Sequence, residues 1–324
     1  MADRAIIVGA GLAGASAART LLDAGWNVQV WESEMHVGGA CADILDGGVY
    51  VQLCGPHHFR TEAPEAWHFV QRFAEWVPSS ILFGVELQPD VPALPLPINE
   101  RSEQVAGRLT DAEIEEKIFA PYTEKMWGIA WEAMPAEVRN RVKMRNVGFD
   151  MRYIDKPIQA VPMRSWSQMV ASMLDGAEVF LKSPWGLEDW DGSSPVVFTG
   201  EPDALLGYRE GHLKWRGAKF EHGVKLARSL CEFASVNTPH PSEPTLRKYE
   251  NSRFIGVNAD KCASLQFPAD RPHYYPSGDR SDWCAVSAKV PAGITLAGRL
   301  GLYRYLDMDA AILDGIRAAR EIMA

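Results

Sequence analysis

The strongest constraint on this chain lies near its start, in the stretch AIIVGAGLAG from Ala5 to Gly14. A short β-branched run leads into glycines spaced G-x-G-x-x-G (Gly9, Gly11 and Gly14), and a helical pattern of apolar residues follows at once. This spacing predicts a strand, a tight turn and a helix, because glycine permits the sharp turn and lets the backbone approach a pyrophosphate without an intervening Cβ. The pyrophosphate would then lie at the positive N-terminus of the helix.

The residues after this helix extend the motif into a dinucleotide-binding unit. A second strand is predicted to end at Glu32, where an acid accepts hydrogen bonds from a ribose 2′-hydroxyl and favours an unphosphorylated adenosine ribose. NAD and FAD both use this unit. The pair Gly38-Gly39 is similar to one in the glutathione-reductase and amine-oxidase families of FAD proteins, where it lets the backbone pass close to the flavin side. FAD is therefore the predicted cofactor.

The composition limits the partners that the chain can bind. Its 324 residues are enough for two domains, and 47% hydrophobic with 23% charged residues fits a globular protein. The net charge of −9 argues against nucleic-acid binding, because no basic excess offsets the phosphates. An anionic substrate would have to be held by a few placed arginines. No metal site is predicted.

The predicted location is a reducing cytoplasm. No apolar run approaches the roughly 20 residues that a membrane span requires, and MADR leads directly into the first strand without a signal peptide. The number of cysteines is odd and no C-x-x-C pair is present, which favours free thiols. They are Cys41, Cys54, Cys231, Cys262 and Cys284.

The rest of the pattern predicts an α/β protein with a Rossmann-like FAD-binding domain and a smaller substrate domain. Thr110 and Glu113 form a capping box that opens a helix. Short β-like runs with turn residues predict an antiparallel sheet between Leu213 and Tyr275. The discontinuous FAD-binding domain is predicted at 1–80, 168–213 and 286–324, and the substrate domain at 81–167 and 214–285, with a reduced helical part at 100–143.

Several stretches, taken together, resemble the flavin-dependent UDP-galactopyranose mutases, of which this chain would be a shortened and divergent member. The matches occur in order from residue 5 to residue 309, so the resemblance covers nearly the whole chain. They are Gly55-Pro56-His57 with Phe59 and Thr61, Leu96-Pro97-Ile98-Asn99, Tyr122-Thr123 with Lys125 and Trp127-Gly128, Asp203-Ala204 with Gly207-Tyr208 and Gly211, and GRLGLYRYLDMD from Gly298 to Asp309.

This resemblance implies an isomerase that interconverts UDP-galactopyranose and UDP-galactofuranose without net redox change. In that family the reduced flavin attacks the anomeric carbon of the sugar through N5 and displaces the nucleoside diphosphate, and the opened sugar recloses through another hydroxyl. FAD would be active in its reduced form, so an electron donor is an expected partner, and an oligomer is possible. Three alternatives stay open: a mutase for another nucleotide sugar, an FAD oxidoreductase of the amine-oxidase type, and a catalytically inactive FAD-binding protein.

The resemblance also assigns roles to particular residues. Arg145 and Arg247 match the diphosphate-binding pair, and an arginine suits that role because its fork binds phosphate oxygens bidentately. The other implied catalytic residues are His57, Tyr305 and Asp307. The implied substrate-binding residues are Tyr122, Trp127, Trp166 and Tyr275, with Tyr274 as the alternative to Tyr275. The implied cofactor-binding residues are Gly9, Gly11, Gly14, Glu32, Gly38, Gly39, Arg299 and Asp309. Without the motifs, the arginines would be interpreted as surface residues, the aromatic residues as core residues, and Asp309 as an acid in the first turn of a helix.

The chain departs from the family at several places. Only residues 100 to 121 separate Asn99 from Tyr122, so most of the family's helical insertion is missing. Arg60 stands where a second histidine is common, Ile118 where an aromatic often packs on uracil, and Trp166 where a phosphate-binding tyrosine is typical. These departures leave the nucleotide base and the sugar open.

Overall fold

The structure, a computed structural model, describes residues 3–79, 81–89, 91–140, 142–226, 229–254 and 263–324. Cys262, one of the thiols predicted to be free, lies outside these ranges. The other four cysteines are free thiols. No helix in the described ranges is both long enough and apolar enough to cross a membrane.

The strands, in chain order, are short except for one. They are β1 (Arg4–Val8), β2 (Asn27–Trp31), β3 (Asp43–Asp46), β4 (Val49–Gln52), β5 (Phe59–Thr61), β6 (Trp76–Pro78), β7 (Phe83–Val85), β8 (Leu94–Leu96), β9 (Ile158–Pro162), β10 (Glu178–Phe180), β11 (Val196–Phe198), β12 (Trp215–Val224), β13 (Ser235–Asn237), β14 (Arg247–Glu250), β15 (Ala263–Ala269), β16 (His273–Pro276) and β17 (Ile294–Leu296).

The α-helices are longest at the two ends of the chain. They are α1 (Leu12–Asp23), α2 (Pro64–Val70), α3 (Glu100–Ala106), α4 (Asp111–Ile114), α5 (Ala120–Trp127), α6 (Ala136–Arg139), α7 (Trp166–Met173), α8 (Pro202–Leu205), α9 (Asn251–Phe254), α10 (Arg280–Ser287), α11 (Gly298–Gly301) and α12 (Met308–Met323). Short 3-10 turns lie at Gly39–Cys41, Trp131–Ala133 and Leu187–Asp189.

A five-stranded parallel sheet has the order β10-β2-β1-β11-β17. The central strand β1 is apolar on both faces because the sheet is covered on both sides, as parallel sheets generally are. α1 and α12 pack together on one face, where they share a core with α7. The Rossmann-like fold and the mixed α/β class predicted from the sequence are confirmed.

A second sheet has the order β16-β12-β15-β14-β13-β7-β8. Its neighbours are antiparallel except for β13 and β7, which run parallel. The antiparallel pattern predicted after Leu213 is therefore present. The proline-rich β8 lies at the sheet edge, where a missing N–H costs no ladder hydrogen bond.

The helical region after residue 110 begins as the capping box predicts. The backbone N–H of Glu113 donates to Thr110 Oγ1 (3.2 Å), and the N–H of Thr110 donates to Glu113 Oε2 (2.8 Å). α4 continues through a π-helical turn, Glu115–Phe119, into α5. Pro121 lacks the N–H that an α-helix would direct to the preceding turn, and a local π-turn accommodates that gap.

The strands of the two large sheets come from different segments of the chain. The strands of the parallel sheet fall within the segments predicted for FAD binding, and those of the second sheet within the segments predicted for the substrate domain. A third sheet, β5-β9-β6, joins residues from both sides of the division. α7 begins at Trp166, two residues before the predicted boundary at 168. The domain boundaries stay a prediction.

Candidate active site

The glycine-rich turn connects β1 to α1, and it has no room for a side chain at Gly9 or Gly14. Gly9 has a φ of +97°, and a Cβ on Gly14 would lie 1.9 Å from the Gly9 carbonyl oxygen. Gly39 has a φ of +55°, and its Cβ would lie 2.9 Å from the Cα of Gly11. Gly38 also has a positive φ. The second glycine pair therefore passes directly over the turn, which leaves a backbone cradle suited to a dinucleotide.

Glu32 lies at the end of β2, beside this turn. Its Oε2 accepts a hydrogen bond from the Ala10 N–H (2.7 Å), and its Oε1 accepts one from the Glu34 N–H (2.9 Å). The carboxylate is thus fixed at the place where the sequence predicts the adenosine ribose. These residues fit a dinucleotide; the assignment of FAD stays a prediction.

A cavity of about 140 Å³ lies near the N-terminus of α11. Gly298, the first residue of that helix, packs so closely on Ala13 of α1 that a Cβ would lie 3.0 Å from the Ala13 Cβ. The described residues that line the cavity include four permanent cations and one acid. They are Arg60, Lys156, Arg247, Arg299 and Asp307. Such a wall attracts an anionic ligand.

Arg247 is the first residue of β14, and its side chain is contacted by Asn237, Tyr122 and Tyr249. Its Nε donates to Asn237 Oδ1 (3.1 Å) on the adjacent strand β13, and its guanidinium carbon lies 5.4 Å from the centre of the Tyr122 ring. The Tyr122 hydroxyl is buried and has no hydrogen-bond partner among the described residues. Since buried polar groups are nearly always paired, this hydroxyl is a candidate ligand contact.

A second cavity of about 60 Å³ adjoins the first and shares Tyr153, Arg247 and Tyr305 with it. Tyr122 and Trp127 line the second cavity, and Tyr275 lines the first. The rings of Trp127, Tyr275 and Tyr305 form one cluster, with centroid distances of 5.1 to 6.0 Å. An elongated ligand with a negatively charged middle would extend through both cavities, with its anionic part at Arg247.

Arg299 and Tyr305 lie together at the start of the closing helical segment. The Arg299 guanidinium carbon is 4.6 Å from the centre of the Tyr305 ring, and Arg299 Nη2 donates to the Leu306 carbonyl (2.6 Å). Asp307 lies at the N-cap position of α12 and also lines the first cavity. Burial and the neighbouring Tyr305 raise the pKa of Tyr275 to about 12, so its hydroxyl stays protonated at neutral pH.

His57 and His58 line the first cavity with neutral imidazole rings. Burial, followed by the charge of Arg299, lowers the pKa of His57 to about 4. His57 Nδ1 lies 3.0 Å from Gln52 Oε1, which also accepts from the His57 backbone N–H (2.8 Å). The amide oxygen can only accept, so Nδ1 carries the proton and Nε2 is left as an acceptor. Burial, followed by the charge of Arg60, lowers the pKa of His58 to about 3.

The low pKa of His58 predicts a loss of stability in acid. Below the ordinary pKa of 6.5 the unfolded chain takes up a proton that the folded chain refuses, so stability present above pH 6.5 falls as the pH drops toward 3. We expect His58 to account for about 2 kcal/mol of destabilisation at pH 5. His58→Gln retains a donor for the Ser79 carbonyl and an acceptor for Arg60 Nε, so it should flatten the dependence of the melting temperature on pH. An identical slope in the variant between pH 7 and pH 4.5 would exclude this explanation.

Three residues predicted for the site are engaged by other parts of the protein, and Arg145 is the first. Its guanidinium forms ion pairs with Glu103 and with Asp111 (3.2 Å for the second) and also donates to the Leu109 carbonyl. It lines neither cavity. Two carboxylates neutralise the Arg145 side chain in this structure, and its role in binding a diphosphate stays a prediction.

Trp166 and Asp309 are the other two residues with protein partners of their own. Trp166 begins α7 and is buried in the core of the parallel-sheet region, with its ring 5.7 Å from that of Trp76. Asp309 Oδ2 binds Lys156 Nζ (2.9 Å), and its Oδ1 accepts from the Ala310 N–H. Neither residue lines the two cavities, and their predicted roles toward substrate and cofactor stay predictions.

Sequence reasoning gave no role to several residues that line the first cavity. Arg60 donates through Nε to His58 Nδ1 (3.0 Å) and lies 5.4 Å from the ring of Phe83 and 5.6 Å from that of Tyr153. Lys156 lines the same cavity from the segment before β9. Arg60 was recognisable as a departure from the family pattern, whereas Tyr153 and Lys156 carry no local signal.

Comparisons with known proteins point to one family. The family model described as UDP-galactopyranose mutase matches residues 117–305, and the model of an NAD(P)-binding Rossmann-like domain matches residues 7–73. The first model includes Tyr122, Arg247 and Tyr305. The second includes the glycine-rich turn and Glu32.

Curated relatives align over nearly the whole chain. A probable UDP-galactopyranose mutase of Klebsiella pneumoniae is 26% identical, over 98% of this chain and 94% of the relative. A dTDP-fucopyranose mutase of Escherichia coli is 24% identical, over 98% of both chains. A UDP-galactopyranose mutase of Mycoplasma pneumoniae is 24% identical, over 98% and 96% of the two chains.

Solved structures show that the fold is shared. The crystal structure of a reduced UDP-galactopyranose mutase superposes with a TM-score of 0.72 at 15% identity, covering 99% of this chain and 95% of the other. A putative protoporphyrinogen oxidase from Exiguobacterium superposes with a TM-score of 0.64 at 12% identity, covering 99% of both. At these identities the likeness establishes the fold alone.

Proposed function

Because the chain belongs to the UDP-galactopyranose mutase family, we propose that it interconverts UDP-galactopyranose and UDP-galactofuranose with a reduced FAD as cofactor. The observation that carries this proposal is the positively charged first cavity, which joins an aromatic second cavity at Arg247 and Tyr305. A nucleotide sugar has the matching order of groups: a base with its ribose, a diphosphate and a sugar.

The backbone cradle supports the choice of a dinucleotide cofactor. Gly9, Gly11, Gly14, Gly38 and Gly39 leave the space that a pyrophosphate needs, and Glu32 would hold the ribose. Arg299 lies at the start of α11, next to α1, where it would face the flavin end. Reduced FAD bound here would supply the nucleophile for the sugar, and an external electron donor would keep it reduced.

Arg247 would bind the diphosphate of the substrate. Displacement of a diphosphate concentrates negative charge on the leaving group, and a fixed guanidinium stabilises that charge more in the transition state than in the ground state. Asn237 accepts a hydrogen bond from Arg247 Nε, and Tyr249 is a second hydrogen-bond partner, so both would hold the guanidinium in place for the ligand. Tyr305 would add a hydroxyl hydrogen bond to the same diphosphate.

The aromatic residues would define the position of the substrate and exclude water. Trp127 and Tyr275 pack against Tyr305, and the buried Tyr122 hydroxyl would find its missing partner on the nucleoside side of the ligand. His57, neutral at physiological pH, would accept a hydrogen bond through Nε2 from the flavin or the sugar.

The base and the sugar remain to be tested. The Escherichia coli relative is named a dTDP-fucopyranose mutase, and the second cavity has an apolar wall that includes Ile118, Met126 and Val138. Both uracil and thymine can be placed against such a wall. The assay for the proposed function should therefore include both nucleotides.

The proposal predicts turnover only after reduction. The purified protein is incubated anaerobically with UDP-galactofuranose, with and without dithionite, and the nucleotide sugars are separated by chromatography; dTDP-fucofuranose is assayed in parallel. Conversion of the UDP sugar in the reduced sample alone supports the proposal, whereas conversion of only the dTDP sugar would correct the substrate.

An FAD oxidoreductase would convert neither nucleotide sugar in the same experiment. The fold shared with a putative protoporphyrinogen oxidase makes an FAD oxidoreductase the alternative function. The arginines of the first cavity argue against it, because they would have no role in binding a cationic amine. Absence of conversion with either sugar, from a protein with a normal and reducible flavin spectrum, would contradict mutase activity.

A further inference from the structure

Lys125 is held in a cage of backbone carbonyls. It belongs to the YTEKMWG stretch and lies on α5, between Tyr122 and Trp127. Its Nζ donates to the carbonyl oxygens of Thr238 (2.7 Å), His240 (3.2 Å), Glu243 (2.6 Å) and Thr245 (2.8 Å). All four carbonyls belong to one segment, residues 238–245, which we name the β13–β14 loop.

The composition of this loop explains why it needs a cation. It reads TPHPSEPT, and its three prolines carry no N–H. The loop therefore has more carbonyls than N–H groups to pair with them, and unpaired buried backbone groups are costly. An ammonium group carries three donors and no acceptor, which suits such a cage. The Glu243 carboxylate is directed to Lys248 (3.6 Å) and Thr245 instead.

The loop connects Arg247, the proposed diphosphate contact, to Asn237, the residue that orients it. Asn237 immediately precedes the loop, and Arg247 follows it two residues after Thr245. These two side chains hydrogen-bond across β13 and β14, and Arg247 lies over the ring of Tyr122. Lys125 is thus the polar connection between the helix that carries Tyr122 and the hairpin that carries Arg247.

We propose that Lys125 is a positioning residue, which holds the β13–β14 loop against α5 and thereby places Arg247 over Tyr122 for binding of the nucleoside diphosphate. The inference rests on the proposed function for the identity of that ligand. It extends the proposal to a residue that lines neither cavity.

The first test measures the connection itself, without substrate. Lys125→Met removes the ammonium but keeps the length of the side chain, and Lys125→Gln retains an amide donor in case the first variant folds poorly. Hydrogen exchange of the FAD-loaded proteins should be faster at the amides of Thr238, Glu243 and Leu246, which are hydrogen-bonded within and beside the loop. Lys117→Met is the matched control, because Lys117 is half exposed in the same helical region and pairs only with Glu113 among the described residues. Unchanged exchange in both Lys125 variants would overturn the inference.

The second test measures the effect on binding. Titration of UDP, and of dTDP in parallel, should give a dissociation constant about tenfold higher in Lys125→Met than in wild type. If Lys125 acts through Arg247, the same substitution should change the dissociation constant by less than about twofold in an Arg247→Ala background. Equal effects in both backgrounds, or an unchanged dissociation constant despite faster exchange, would show that Lys125 has no positioning role.

The two tests separate this inference from the proposed function. A wild-type protein that binds neither UDP nor dTDP would contradict the proposed function. The exchange measurement would still decide whether Lys125 holds the loop against the helix.

Discussion

Arg247→Ala is expected to lower kcat/KM of the mutase reaction by roughly 10²- to 10³-fold while flavin content stays at the wild-type level. Arg247 is the cation at the junction of the two cavities, and Asn237 fixes its Nε. Alanine leaves that junction without the charge that stabilises a departing diphosphate. The glycine-rich turn belongs to a different sheet, so binding of the cofactor should be unaffected.

The variants are compared by steady-state kinetics on the dithionite-reduced enzyme and by the absorbance of bound flavin. Arg145→Ala is the matched control, because the sequence alone assigned both arginines to the diphosphate. Arg145 pairs with Glu103 and Asp111 at a partly exposed position, so its loss should cost about 1 kcal/mol of stability or less and leave kcat/KM within a few-fold of wild type. The opposite ranking of the two variants would show that the diphosphate is bound at Arg145.

Gly11→Ala is expected to abolish retention of the flavin without unfolding the protein. Gly11 has an ordinary φ of −80°, and the nearest atom to an added Cβ, the Gly39 Cα, would be 3.7 Å away, an ordinary van der Waals distance. The protein therefore has room for the methyl group. The methyl group would, however, occupy the space through which a pyrophosphate approaches the N-terminus of α1. We expect at least a tenfold loss of flavin per polypeptide, because close backbone contact with the phosphates is lost.

Two other glycines provide contrasting controls. Gly25 ends the turn after α1 with a φ of +84° and nothing within 4 Å of an added Cβ, so Gly25→Ala should cost about 1 kcal/mol of stability and retain flavin. Gly14→Ala would place its Cβ 1.9 Å from the Gly9 carbonyl oxygen and should destabilise the apoprotein itself. Flavin content and the melting temperature of the apoprotein distinguish the three cases. Full flavin retention by Gly11→Ala would refute a phosphate site at this turn.

Local sequence patterns were sufficient to predict those elements whose structure depends on neighbouring residues. The capping box at Thr110, the closing helix Met308–Met323 and the strand–turn–helix at Gly9 all follow from sequence spacing, because their hydrogen bonds and backbone angles are set within a few residues. Arg247, Tyr275 and Tyr305 were found through motif resemblance, and the structure places all three around the first cavity.

The sequence did not reveal the environment of a side chain where long-range contacts decide it. Arg145 and Trp166 match the family pattern only loosely, and nothing near them in the sequence shows that Glu103 neutralises one and Trp76 packs against the other. Asp309 fits two roles equally well until the fold brings Lys156 to it.

The sequence by itself therefore determined the dinucleotide-binding unit, the order of the main elements and the family, because each depends on local spacing or on motifs that keep their order. Only the tertiary structure decided which cations line the candidate substrate cavity. Arg60, Lys156, Arg247 and Arg299 come from distant parts of the chain, and they line one cavity because separate sheets and helices meet there. The same is true of the Lys125 cage, since a lysine can be matched to carbonyls more than a hundred residues away only after the chain has folded.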